Sequence, residues 1–161
     1  MLLGTRRASH AGARLCPSLY VVTGDAEVHW RHLQPDDVGW SQVRCLYAYV
    51  APKAHEILYI GKAWGVTVRA RWNRSGKYEF WDDLERERGI YKHGALLGEI
   101  ALPPRQRLTH HLLCDIESLL IQQMLPWGNI QSRMTRISRP DFVVVCRGAW
   151  PARKKVFRDE G

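Results

Sequence analysis

The sequence lacks closely spaced cysteines and any long apolar run, and both absences restrict the class of protein. Its 161 residues include 4 cysteines, which lie far apart at positions Cys16, Cys45, Cys114 and Cys146. Disulfide scaffolds and structural zinc sites need paired, closely spaced ligands, so we expect four reduced and mostly buried thiols. No segment reaches the roughly 18 apolar residues that cross a membrane. We therefore expect no membrane contact and an intracellular, most simply cytoplasmic, protein.

Acidic residues are scarce relative to basic ones. The chain has 16 Asp and Glu against 24 Lys and Arg, with a formal net charge of +8 and an isoelectric point near 9.6. This excess favours a polyanionic partner, usually nucleic acid, over a merely solvated basic surface. No acid precedes Asp25, and the N-terminal segment lacks the continuous apolar core of a signal peptide. That segment is a frayed terminus, a basic arm that touches phosphates, or an organelle-targeting sequence.

What the sequence does contain is a succession of short strand and helix patterns. Strand patterns cover 19–22, 27–32, 46–50, 57–60, 95–102 and 142–146, and the run at 57–60 is predicted to end at Gly61-Lys62. Helix patterns run from Thr67 to Ser75-Gly76, from 79 to 88 and from 109 to 125, followed by a mobile basic tail. We predict an α+β fold with a small central mixed or antiparallel sheet flanked by helices and with extra terminal strands. Its parts are an N-terminal extension at 1–41, a core at 42–135 and a C-terminal strand and tail at 136–161.

The longest helix pattern carries a carboxylate within its apolar stripe. Glu117 lies four residues after Leu113, on the side that also holds Leu120, Ile121 and Met124. Such a carboxylate is costly unless it is ion-paired, hydrogen-bonded or bound to a metal. An internal ion pair with an arginine and a metal site are the two interpretations.

The two tyrosines of the central hairpin resemble those of the GIY-YIG nuclease family. Cys45-Leu46-Tyr47 stands where that family has its first triplet, and Tyr59-Ile60-Gly61 matches the second triplet outright, at the usual separation of twelve residues. Arg69, ten residues after Tyr59, stands where the family has its catalytic arginine. Glu117 and Asn129 fit its metal-ligand glutamate and closing asparagine. The resemblance covers roughly 45–130.

Two positions depart from the family pattern. Cys45 and Leu46 replace the Gly-Ile of the first triplet, although the tyrosine itself is kept. Asn73 occupies the place where many members have a His or Tyr that supports the site.

The resemblance implies a core of ββαβα type and a metal-dependent endonuclease that hydrolyses phosphodiester bonds in DNA. The implied catalytic residues are Tyr47, Tyr59, Arg69, Glu117 and Asn129, with Gly61, Lys62, Arg71 and Asn73 in supporting or phosphate-contacting roles. Glu117 would bind one Mg²⁺ or Mn²⁺ ion, since Mg²⁺ takes one carboxylate together with waters and substrate phosphate. Arg69 would hold the scissile phosphate, and Arg71 is its rival for that place.

The remaining roles concern the tyrosines and their surroundings. Either Tyr47 or Tyr59 would accept the proton of the attacking water. A free phenol is only about 0.1% ionised at pH 7, so it needs cationic neighbours. Asn129 would keep the hairpin and helix in register, and Gly61 would let the backbone turn tightly beside the phosphate.

Several features leave alternatives open. The residues Lys53, Lys77, Arg74 and Arg133 are phosphate contacts or solvated surface charges, and Trp72 and Trp127 are expected in the core. A catalytically inactive nucleic-acid-binding module is one alternative function, motivated by the altered first triplet, and a nuclease toxin or defence effector is another. DNA is the expected partner, with RNA as the alternative. Because no separate DNA-binding domain is evident, specificity is expected from a homodimer or a partner protein.

Overall fold

Six strands form one mixed sheet in the computed structural model, which describes residues 25–52, 56–73, 76–129 and 135–160. The strands are β1 (Ala26–His32), β2 (Arg44–Val50), β3 (Ile57–Trp64), β4 (Gly94–Ala101), β5 (Val143–Gly148) and β6 (Val156–Arg158). Their order is β3-β2-β4-β1-β5-β6. Only β1 and β5 run parallel, and the other neighbours are antiparallel. The expected α+β class is confirmed, and strands from both terminal segments complete the sheet of the central hairpin.

Helices cover the two faces of this sheet. They are α1 (Val68–Trp72), α2 (Gly76–Arg88) and α3 (His110–Met124), and a short 3-10 helix spans Val38–Ser41. The hydroxyl oxygens of Thr67 and Thr109 accept hydrogen bonds from backbone amides at the starts of α1 and α3, as N-caps do. Gly89, with φ of 61°, follows α2 directly and ends it as the sequence predicted.

Three predicted boundaries are wrong. β3 does not end at Gly61-Lys62, because its pairing with β2 continues until Trp64 lies opposite Arg44. α2 begins at Gly76 rather than at residue 79. The basic tail contains β6, which pairs with β5 and buries Phe157 completely. A mobile tail was predicted from the basic residues of this segment, but burial of the Phe157 ring holds the segment against the sheet.

Some sequence predictions lie outside the described residues. These are the strand at 19–22, the basic N-terminal segment, Cys16, Lys53, Arg74 and Arg133. Cys45 and Cys146 are buried free thiols, and Cys114 is a half-buried one. No helix in the described part of the chain is long and apolar enough to cross a membrane.

The core consists of two apolar clusters, one on each side of the sheet. α3 contributes Leu113, Ile116 and Leu120 to the first cluster, which also receives Phe157 from β6. Aromatic residues dominate the second cluster, where Tyr47 and Tyr49 of β2 pack with Leu84 of α2. β3 is the edge strand between these two helical layers, so groups from both layers can meet around it.

Candidate active site

Two phenols lie side by side at the β2–β3 ladder. Tyr47 lies opposite Gly61 in the register, and two pairs along the ladder Tyr49 lies opposite Tyr59. The Tyr47 and Tyr59 ring centroids are 6.1 Å apart, and their hydroxyls are hydrogen-bonded to each other. This contact raises the pKa of Tyr47 and lowers that of Tyr59.

Gly61 makes room for both rings. A Cβ atom at this position would lie 2.6 Å from the Cζ and Oη atoms of Tyr47 and 2.7 Å from Cε1 of Tyr59. Gly61 is a strand residue and does not have a positive φ angle, so the tight turn expected from the sequence is not its role. The absence of a side chain is what lets the phenols approach each other.

Both phenols are held neutral near pH 7. Burial is the main cause that raises the pKa of Tyr47 and of Tyr59, and the charge of Glu117 adds to the effect at each. At Tyr59 the hydrogen bond with Tyr47 and the charges of Lys62 and Arg71 act in the opposite direction. Tyr59 is therefore the phenol whose surroundings favour the ionised form more.

Glu117 is buried in the middle of α3 and is paired with a lysine. Its carboxylate Oε2 contacts Nζ of Lys62, which comes from β3. Burial raises the pKa of Glu117, and Lys62 and then Arg71 act against that rise. The ion pair foreseen for an acid on this apolar stripe thus exists, with a lysine in place of the expected arginine.

The two arginines of α1 point to different surroundings. Arg69 donates from Nη2 to the carbonyl of Pro35 at 3.2 Å, and its guanidinium carbon lies 5.5 Å from the ring centroid of Trp40. Arg71 instead acts electrostatically on both Tyr47 and Glu117. The charge of Arg71 thus reaches the phenols and the carboxylate, whereas the exposed Arg69 attaches α1 to Pro35 and Trp40. The preference for Arg69 over Arg71 as the phosphate-binding arginine stays a prediction.

The strand β3 is longer than the sequence predicted, and its length sets where the two arginines lie on α1. The strand continues to Trp64 and α1 begins only at Val68, so the arginine ten residues after Tyr59 lies in the first turn of α1. Residues two apart on a helix do not share a face. Arg69 and Arg71 are therefore directed to different sides of α1.

Asn129 closes the outer edge of β3. Its side-chain Oδ1 accepts a hydrogen bond from the backbone N–H of Ile60 and its Nδ2 donates to the carbonyl of Ile60, both at 2.8 Å. The N–H of Gly128 donates to the carbonyl of Leu58, also at 2.8 Å. The segment after α3 thus replaces a missing strand neighbour and links α3 to the tyrosine-bearing hairpin.

Lys77 of α2 lies against the phenols, although the sequence indicated only a phosphate contact or a solvated surface charge. Its Nζ lies 3.3 Å from the Tyr59 ring centroid. No spacing rule indicates this contact, because it depends on how α2 packs over the sheet. Asn73 is exposed at the C-terminal end of α1.

The site therefore combines a single carboxylate and two phenols with several cations. The residues brought together are Tyr47, Tyr59, Gly61, Lys62, Arg71, Lys77 and Glu117. No group of three His, Cys, Asp or Glu side chains able to hold a metal ion occurs among the described residues. The donor chemistry of Glu117 fits an ion such as Mg²⁺ that takes one protein carboxylate and completes its shell with water and phosphate.

Comparisons with protein-family models, with characterised proteins and with solved structures found no match to this chain. A cationic surround with one buried carboxylate suits a substrate that is an anion and a reaction that develops further negative charge.

Proposed function

We propose that this chain is a metal-dependent endonuclease of the GIY-YIG type that hydrolyses phosphodiester bonds in DNA. The observation that carries the proposal is that the ring centroids of Tyr47 and Tyr59 lie 6.1 Å apart at the edge strand β3, with the charges of Arg71 and Glu117 acting on both phenols. These four residue types supply a proton acceptor, a phosphate-binding cation and a metal ligand. The net charge of +8 supports a nucleic-acid partner.

Arg71 is the residue that would bind the scissile phosphate. Its Nε atom is buried and has no hydrogen-bond partner among the described residues. A buried donor without a partner is costly, and a phosphate oxygen is a strong acceptor for a guanidinium group. Binding of a phosphodiester would therefore provide an acceptor for a donor that the described residues leave unpaired.

Tyr59 is favoured over Tyr47 as the acceptor of the water proton. The hydrogen bond with Tyr47 and the charges of Lys62 and Arg71 all lower the pKa of Tyr59. At Tyr47 the same hydrogen bond raises the pKa. Tyr47 would thus hold Tyr59 in position and stabilise its ionised oxygen.

Glu117 would hold a divalent ion, Mg²⁺ or Mn²⁺. When bound, the ion supplies electrostatic stabilisation of the departing 3′ oxygen. Lys62 favours the ionised carboxylate of Glu117 against the effect of burial.

Cleavage assays on matched variants test this proposal. Plasmid, single-stranded and branched DNA, and RNA, are incubated with Mg²⁺, Mn²⁺ or EDTA. Glu117→Gln and Arg71→Ala are each expected to reduce metal-dependent cleavage by at least about 100-fold, since each removes a charge that acts in the transition state. Glu99→Gln is the control, because Glu99 is an exposed carboxylate, and Arg69→Ala compares the arginine that the family resemblance implies with Arg71. Cleavage that survives both site variants would refute the proposal.

A nucleic-acid-binding module without turnover is the second candidate. The observation that favours it is the ion pair between Lys62 and Glu117, which already supplies the carboxylate with a cation. This candidate predicts salt-sensitive binding to DNA and no cleavage with either metal ion in the wild-type protein.

A further inference from the structure

The ammonium group of Lys77 lies in a box of three aromatic rings. Its Nζ is 3.3 Å from the ring centroid of Tyr59, 5.1 Å from that of Phe80 and 5.3 Å from that of Tyr49. Cations are attracted to the faces of aromatic rings at such distances. The box thus holds the charge of Lys77 directly over one of the two phenols of the site.

Ring faces take the place of a carboxylate partner for this lysine. No carboxylate among the described residues forms an ion pair with Lys77. Tyr59 of β3, Tyr49 of β2 and Arg71 of α1 are the titratable or charged groups that face it. Burial, and then the charge of Arg71, lowers the pKa of Lys77 to about 8.

We propose that Lys77 is a positioning residue that stabilises the phenolate of Tyr59, so that the ionisation of Tyr59 is coupled to the protonation state of Lys77. The role of Lys77 in catalysis rests on the proposed function, whereas the electrostatic coupling between Lys77 and Tyr59 is independent of that function. A positive charge over the ring lowers the energy of the negatively charged phenolate. When Tyr59 loses its proton, the negative charge of the phenolate is compensated by the positive charge of protonated Lys77.

Counting protons gives a distinctive pH dependence. Below the pKa of Lys77, the most populated state contains a neutral Tyr59 and a protonated Lys77. The phenolate–ammonium state has one proton fewer, so its population rises tenfold per pH unit. Above that pKa, the main state contains a neutral phenol and a neutral amine. It holds the same number of protons as the phenolate–ammonium state, whose population therefore stops changing with pH.

Two variants separate the charge of Lys77 from its packing. Lys77→Arg keeps a charge that does not titrate in the accessible range, and Lys77→Met keeps the apolar stem without charge. The pKa of Tyr59 is measured by NMR on protein labelled at the Cζ of its 6 tyrosines, with Tyr59→Phe identifying the signal. We expect the pKa in Lys77→Arg to be at least about one unit lower than in Lys77→Met, which is a tenfold difference in phenolate at a given pH.

The cleavage rate provides the second readout. In the wild-type protein the rate is expected to rise with pH and level off above about pH 8, whereas in Lys77→Arg it continues to rise. Lys77→Met is expected to be at least about tenfold slower than Lys77→Arg at each pH. The exposed Lys92 supplies the control Lys92→Met, and thermal unfolding verifies that each variant is folded.

The pKa measurement and the cleavage measurement test different parts of the proposal. Equal Tyr59 pKa values in the Arg and Met variants would overturn the coupling, whatever the cleavage results are. A clear pKa difference without cleavage in any protein would leave the coupling standing and refute the nuclease proposal. Coupling and cleavage with no levelling of the wild-type profile would show that the rate does not depend on this pair, and would overturn its role in the reaction.

Discussion

Gly61 shows how one missing side chain can determine a site. It lies opposite Tyr47 in the ladder and next but one to Tyr59 in the chain. Both phenol rings occupy the space in which a Cβ atom would lie. The residue is therefore needed for the approach of two rings rather than for a special backbone conformation.

Gly61→Ala is expected to destabilise the protein by about 1–3 kcal/mol, the usual cost of overpacking. It should also separate the two phenols, because neither ring can keep its place beside a methyl group. Urea unfolding gives the free energy, and the near-ultraviolet circular dichroism of the tyrosines reports the rearrangement. An unchanged tyrosine spectrum in a fully stable variant would show that the rings do not meet as the structure indicates.

At the scale of an element, the edge strand β3 depends on a side chain from outside the sheet. The amide of Asn129 makes the two hydrogen bonds to Ile60 that a neighbouring strand would otherwise make. Ile60 is fully buried, so water cannot readily replace these bonds. The register of β3 relative to α3 therefore depends on one residue beyond the end of the helix.

Asn129→Ala is expected to cost about 2–4 kcal/mol, because it leaves a buried N–H and a buried carbonyl unpaired. Hydrogen exchange at the Ile60 amide should accelerate more than exchange in β1. Asn129→Asp keeps the acceptor for the Ile60 N–H but loses the donor, so intermediate stability is expected. The exposed Asn73 gives the control Asn73→Ala, which should change stability by less than about 0.5 kcal/mol.

The stability of the whole molecule should depend on pH through Lys77. Its pKa is about 8 in the folded protein and about 10.4 in an unfolded chain. Between these values the unfolded state binds more protons, so this residue makes folding more favourable as pH rises. Below pH 8 the folded protein carries the full cost of the buried ammonium.

Lys77→Met should therefore be more stable than the wild-type protein at pH 7, with the difference shrinking between about pH 8 and 10.4. Urea unfolding of both proteins across this range measures the difference, and other titrating groups cancel between them. Lys92→Met should show no such trend. A variant that is less stable at pH 7 would indicate that attraction to the three rings exceeds the cost of burying the charge.

Local patterns predicted the parts of this fold that depend on neighbouring residues. Thr67 and Thr109 begin helices because a hydroxyl can cap the amides that follow it, and Gly89 ends α2. The twelve-residue spacing of Tyr47 and Tyr59 indicated a hairpin that places both phenols together. The carboxylate of Glu117 stood out on its apolar stripe because burial of a charge requires a partner.

Contacts between distant segments could be decided only by the tertiary structure. The charge of Arg71 acts on the two phenols and on Glu117, whereas Arg69 is hydrogen-bonded to the carbonyl of Pro35. Lys62 instead of an arginine pairs with Glu117, and Lys77 lies over Tyr59. The sequence by itself determined which side chains could form a charged site, since their chemistry is local, whereas packing of α1, α2 and α3 around the edge strand selected which cations reach it.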